Sequence, residues 1–169
     1  MSTSEQELRD LAEQLGTCLT ETGLKLASAE SCTGGWLAKI VTDIPGSSEW
    51  FTGSVVSYSN EAKHDLLGVS EITLNEFGAV SGETVLEMSD GLFLHTDADV
   101  AVSISGIAGP GGGSDDKPVG LVWLGWGKRD KSVFATPFNF DGDREEVRKQ
   151  SIKQAFNNLL DLLVCDSDL

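Results

Sequence analysis

Leu24-Lys25-Leu26-Ala27-Ser28-Ala29-Glu30-Ser31-Cys32-Thr33-Gly34-Gly35-Trp36-Leu37-Ala38-Lys39-Ile40-Val41 changes its periodicity half-way, and that change decides the fold. Leu24 to Ala29 is short and mostly apolar, as a buried strand is, whereas Trp36, Leu37, Ile40 and Val41 recur at helical spacing. The segment therefore reads as strand, tight turn, helix.

Working outward, Ser4-Glu5-Gln6-Glu7 has capping-box spacing, and Leu8, Leu11, Ala12, Leu15 and Leu19 follow as one helical face that stops at Gly23. On the other side Pro45 to Ser48 breaks the pattern. Phe51 to Ser59, rich in β-branched and aromatic residues, predicts a second strand, and Glu61 to Leu67 a short helix. Ser81 is placed to cap a helix carrying Val85, Met88 and Leu92 on one face, ahead of an alternating strand from Val100 to Ser105. After the glycine-rich run Gly106 to Gly113, the apolar stretches Val119 to Trp126 and Ser132 to Phe138 predict a hairpin across Gly127-Lys128-Arg129-Asp130. Asp141 to Val164 closes the chain as a helix with Ile152, Ala155, Phe156, Leu159, Leu160 and Leu163 buried. Strand-helix units followed by a hairpin imply an α/β fold, a three-layer αβα sandwich with a mixed β-sheet. At 169 residues the whole chain is expected to form a single domain.

Composition narrows the function. The chain has 27 acidic and 12 basic side chains, a net charge of -15, which repels nucleic-acid backbones and leaves only a local basic cluster to hold an anion. No run approaches the roughly 18 apolar residues of a membrane span, and Met1 to Glu7 lacks a basic-then-apolar leader, so a cytoplasmic protein is expected. Cys18, Cys32 and Cys165 are odd in number and widely spaced, which argues against disulfides or structural zinc. Assembly into a homo-oligomer is left open.

Three clusters can carry chemistry. Ser31 stands where a strand gives way to a helix, with Thr33, Gly34 and Gly35 behind it, so free backbone N–H groups and the helix dipole are expected beside its hydroxyl. The bland reading is a helix cap. Tyr58-Ser59-Asn60-Glu61-Ala62-Lys63 offers a base: shielded from water, Lys63 loses its charge readily and can take the serine proton, with Tyr58 relaying or orienting it. Otherwise Lys63 is a surface lysine paired with Glu61 or Asp65. Arg144 and Arg148, four apart at the start of the last helix, are cations at the wrong end of a dipole, which a bound phosphate or pairing with Asp141, Asp143 or Glu145 would offset. The Gly106 to Gly113 loop lacks the ending of a P-loop and reads as a flexible ligand loop or a plain crossover. Cys32 is a rival nucleophile, and His64 a rival base.

Taken together, Ala29 to Gly35, Tyr58 to Lys63, Ser105 to Pro110 and the Gly142 to Arg148 stretch resemble the C-terminal domain family of the competence and damage-inducible protein CinA, in order and over nearly the whole chain. The resemblance implies the stand-alone form of that domain. It further implies a nicotinamide-nucleotide amidohydrolase, which turns nicotinamide mononucleotide into nicotinate mononucleotide and ammonia in pyridine nucleotide salvage. Ser31 would be the nucleophile, Lys63 the base and Tyr58 a supporting hydroxyl. Cys32, Thr33, Gly34 and Gly35 would hold the oxyanion. Asn60, Ser105, Gly106, Gly109, Gly112, Arg144 and Arg148 would place ribose and phosphate, with no metal or organic cofactor. Two rival functions keep the same pocket: a nucleotide-binding regulatory module without chemistry, and an amidohydrolase of a different amide.

Overall fold

The computed structural model describes residues 2–167, with side chains as far as Val164, so Cys165 lies outside the described side chains. Helix α1 (Glu5–Thr22) starts under the Ser4 hydroxyl, which accepts the Glu7 N–H, and stops at Gly23, whose φ of 69° only glycine adopts without strain. Strand β1 (Leu26–Glu30), helix α2 (Trp36–Thr42) and strand β2 (Phe51–Val56) form the first parallel unit. Helices α3 (Asn60–Leu67), α4 (Glu71–Glu76) and α5 (Gly82–His95) lead to β3 (Val100–Gly106), then the hairpin of β4 (Leu121–Lys128) and β5 (Val133–Asn139), and finally α6 (Arg144–Ser167).

The sheet order is β2-β1-β3-β4-β5; β1 is parallel to both neighbours, and β4 is antiparallel to β3 and β5. Successive side chains on a strand alternate faces. Leu26, Val100, Val102 and Ile104 accordingly meet α1, α2 and α6 through Leu15, Leu37 and Phe156, while Ala27, Ala29 and Ala101 meet α5 through Val85, Met88 and Leu92. Two apolar faces, each covered by helices, make the mixed-sheet αβα sandwich that the sequence predicts. No helix among the described residues is long and apolar enough to cross a membrane.

The α5 face is built from small residues, and backbone comes close there. A Cβ on Gly91 would stand 2.1 Å from the Leu67 carbonyl oxygen that ends α3, an atom that cannot swing aside. Gly91→Ala is therefore expected to cost about 1–3 kcal/mol by overpacking, a fall in Tm of about 5 °C on the scale of a domain this size, read by thermal unfolding.

Three local readings change. β2 ends at Val56, not Ser59, because Ser57 N–H makes the last sheet contact, to Glu30 O at 2.9 Å, and the Ser59 hydroxyl then caps α3. Helix α4 is unforeseen; it is short, and its start is held when Glu87 accepts from both Ser70 N–H and the Thr73 hydroxyl. The hairpin turn falls after Lys128 because the Arg129 guanidinium reaches back to the carbonyls of Phe93, Thr96 and Ala98, closing the end of α5.

Candidate active site

In an open α/β sheet, ligands sit beyond the carboxyl ends of the parallel strands, where successive crossovers leave in opposite directions. Here that point is the end of β1. The connection to β2 carries α2 on one face, and the return to β3 carries α5 on the other. Ser31 follows β1 directly, and its N–H extends the ladder to Ile104 O at 2.9 Å. Ser57 and Tyr58 follow β2, and Ser105 and Gly106 close β3.

Lys63 crosses this gap. It lies one helical turn before Leu67 on the inward face of α3, and only 1% of its surface is exposed. Its Nζ is 2.9 Å from Ser31 Oγ, 2.7 Å from Ser57 O and 3.2 Å from Tyr58 O. Those neighbours are uncharged oxygens, and no carboxylate among the described residues pairs with the ammonium. Burial disfavours its charged form and pushes the Lys63 pKa down to about 8. Burial likewise pushes the Cys32 thiol up to about 11, which disfavours the thiolate that a cysteine nucleophile needs. His64, the rival base, lies on the other side of α3, with Nδ1 2.8 Å from Val69 O, in a recess shared with Asn60, Asp65 and Glu71.

The turn after Ser31 corrects one expectation. The N–H groups of Leu37 and Ala38 at the start of α2 do not face the hydroxyl; both donate to the fully buried Glu30 carboxylate, at 2.9 and 3.1 Å. Thr33 Oγ1 and Ser54 Oγ complete its shell at 2.7 and 3.2 Å. Glu30 thus absorbs the helix's positive end and ties the turn to β2. Gly34 N–H and Trp36 N–H donate within the turn, to Ser31 O and Thr33 O, and Thr33 is fully buried, which leaves the amide of Cys32, next to Ser31, as the turn's oxyanion candidate. Gly34 and Gly35 sit at φ 60° and 95°, where side chains are strained.

A cavity of about 190 Å³ opens beside the pair, lined by Ser31, Cys32, Tyr58, Lys63, Ser105, Gly106 and Arg144 among the predicted residues, and by Ala79, Val80 and Ala108, which the sequence reading missed. Ala108 and Arg144 also border a wider cleft of about 530 Å³ with Pro110, Val119, Gly142, Asp143 and Glu145. A further recess of about 520 Å³ between α1 and Trp50 is lined by no serine, cysteine or lysine. The Tyr58 phenol does not orient Lys63; that residue supplies its carbonyl to Lys63, and its exposed hydroxyl accepts from Arg144 Nη2 at 3.2 Å. Arg144 Nη1 also donates to Gly109 O at 2.8 Å, tying the glycine loop to α6. The Ser105 hydroxyl is spent on Ala79 O, 2.7 Å away, and so holds a cavity wall. Thr33, Gly34, Gly35, Asn60, Gly109, Gly112 and Arg148 do not line the cavity. Among the described residues, no group of three or more His, Cys, Asp or Glu side chains is gathered that could hold a metal ion.

The family model described as the CinA C-terminal domain matches residues 8–163. The chain belongs to the CinA C-terminal domain family. A protein from Enterobacter agglomerans named nicotinamide-nucleotide amidohydrolase PncC is 53% identical over 148 residues, 88% of this chain and 90% of that one. Its namesake from Escherichia coli K12 is 49% identical over 92% of this chain and 94% of its own. The crystal structure of competence/damage inducible protein CihA from Agrobacterium tumefaciens superposes with a TM-score of 0.90 at 43% identity, covering 92% and 95% of the two chains. The CinA match encloses every residue lining the Ser31 cavity. Glu30, which no sequence argument singled out, stands inside it too; the signal was a carboxylate at a buried strand end with Thr33 three residues on.

Proposed function

We propose that this CinA-family chain removes ammonia from the carboxamide of nicotinamide mononucleotide, with Ser31 as nucleophile and Lys63 as its base. The observation that carries the proposal is the 2.9 Å contact between a buried lysine and a strand-ending serine. A neutral lysine has two N–H groups and one lone pair. Ser57 O and Tyr58 O can take the two N–H groups, which turns the lone pair toward Ser31 O–H. With a pKa of about 8, roughly a tenth of Lys63 is neutral at pH 7; an ordinary lysine would be neutral in about one molecule in 3,000.

The chemistry follows from those groups. Lys63 Nζ takes the proton as Ser31 Oγ attacks the amide carbon, and the oxyanion meets the backbone amide of Cys32. Collapse breaks the C–N bond, and Lys63 returns the proton to the departing nitrogen, which leaves as ammonia. Water then attacks the acyl-serine, giving its proton to Lys63, and the carboxylate departs as Ser31 regains its hydrogen. The cavity suits a planar aromatic amide but lies below the roughly 300–1,000 Å³ of sites that take larger ligands. Ribose and phosphate are therefore assigned to the adjoining cleft, with Arg144 at the waist between the two spaces. The names and identities of the PncC relatives support the substrate. Incubating the purified protein with nicotinamide mononucleotide tests the reading: stoichiometric ammonia and nicotinate mononucleotide are expected, and binding without product would overturn it.

A further inference from the structure

Sequence spacing assigns Arg148 to phosphate, yet its guanidinium is turned toward the backbone of the turn that follows Ser31. Nε donates to Cys32 O at 3.0 Å and Nη2 to Thr33 O at 3.1 Å. Its Cζ lies 5.0 Å from the centroid of the Trp36 ring, over the ring face. A Cβ on Gly34 would stand 3.6 Å from Nη2, so the plane rests against the turn at its glycine. Three features of one turn, its carbonyls, its glycine and the aromatic residue that follows, thus converge on one side chain from α6.

We propose that Arg148 is a positioning residue for catalysis: a backbone clamp that fixes the turn carrying Ser31, and not a substrate ligand. The turn needs a clamp. Its N-terminal side is held by the sheet, but its C-terminal side passes through two left-handed glycines with little rigidity of their own. Glu30 grips it from inside the fold and Arg148 from outside. In a trans peptide the C=O and the next N–H point in opposite directions. Pinning Cys32 O and Thr33 O therefore fixes the Cys32–Thr33 and Thr33–Gly34 peptide planes, and Gly34 N–H, so held, donates to Ser31 O, the carbonyl of the peptide whose N–H, that of Cys32, is left for the oxyanion. A cation on a carbonyl also polarises its peptide and strengthens the opposite N–H as a donor. Lysine cannot replace this, because a point charge on a flexible stem neither bridges two carbonyls in one plane nor stacks on an indole.

The inference rests on the amidohydrolase reading for its substrate but not for its mechanics, and the test separates them. The rate of Ser31 labelling by a small fluorophosphonate is measured beside turnover of nicotinamide mononucleotide, in wild type, Arg148→Lys and Arg148→Ala. Both variants are expected to lose 10- to 100-fold in kcat and in labelling rate, with KM within about twofold of wild type, and methylguanidinium is expected to restore Arg148→Ala where methylammonium does not. A higher KM with kcat and labelling unchanged would make Arg148 a substrate ligand and overturn the clamp. Labelling that depends on Arg148 in a wild type that releases no ammonia would uphold the clamp and reject the substrate. If Arg148→Ala does not fold, Arg148→Lys still decides between a loss in kcat and a loss in KM.

Discussion

Ser31→Ala is expected to lower kcat for ammonia release by about 10⁴-fold or more, the scale seen when an acyl-transfer enzyme loses its nucleophile. The fold should survive. Ser31 contributes one hydroxyl to the interior and keeps its place through its backbone N–H to Ile104 O, which alanine preserves. Thermal unfolding and circular dichroism close to wild type, with ammonia release abolished, would be the expected pair of results. Wild-type-like turnover in a folded variant would assign the nucleophile to another group, and Cys32, with its thiol pushed up to about 11, is poorly suited to that role.

Lys63→Met should be nearly as damaging, because it keeps the length and apolar stem of the side chain and removes only the base. A loss of about 10³-fold or more in kcat/KM is expected. The double variant Ser31→Ala, Lys63→Met should be no worse than the weaker single one, since residues acting as a unit are not additive. The pH profile gives the sign independently. With the neutral amine as the proposed base and the Lys63 pKa about 8, kcat/KM should rise about tenfold per pH unit up to roughly pH 7.5 and level off above 8. A profile falling through that range would mean the charged form is needed.

Much of this was legible in the sequence because local signals and tertiary demands agree. Ser4 and Gly23 bracket α1 as their chemistry requires, and the change of periodicity places the strand-to-helix turn at Ser31 correctly. What escaped was whatever depends on distance in space. Lys63 and Ser31 are 32 residues apart in sequence, and nothing local says that β1 and β2 pair so as to bring α3 over the end of β1. The spacing of Lys63 with Leu67 on one helical face was the available hint that the lysine points inward.

The two arginines illustrate the same limit. Their i,i+4 spacing puts them on one face of α6 and suggests one shared job, yet Arg144 reaches Gly109 O and Tyr58 at the cavity mouth while Arg148 reaches Cys32 O and Thr33 O behind Ser31. Charge patterning gave the side of the helix but not the partners, because a backbone carbonyl competes for a guanidinium as well as a phosphate does. Glu30 was overlooked for a related reason. A carboxylate before a helix reads as surface charge, and only the fold reveals four donors converging on it from the turn, α2 and β2.

The proposed mechanism requires one buried lysine, paired with no carboxylate among the described residues, to exchange its proton with Ser31 near neutral pH. Nitrogen-15 NMR of lysine-labelled protein, titrated between pH 6 and 11, reads that directly, with Lys63→Met supplying the assignment. One Nζ resonance titrating with a midpoint near 8 and missing from the variant is the result the account requires. If every lysine titrates near the ordinary value of about 10.4, or the low-midpoint signal persists in Lys63→Met, then Lys63 is not the base.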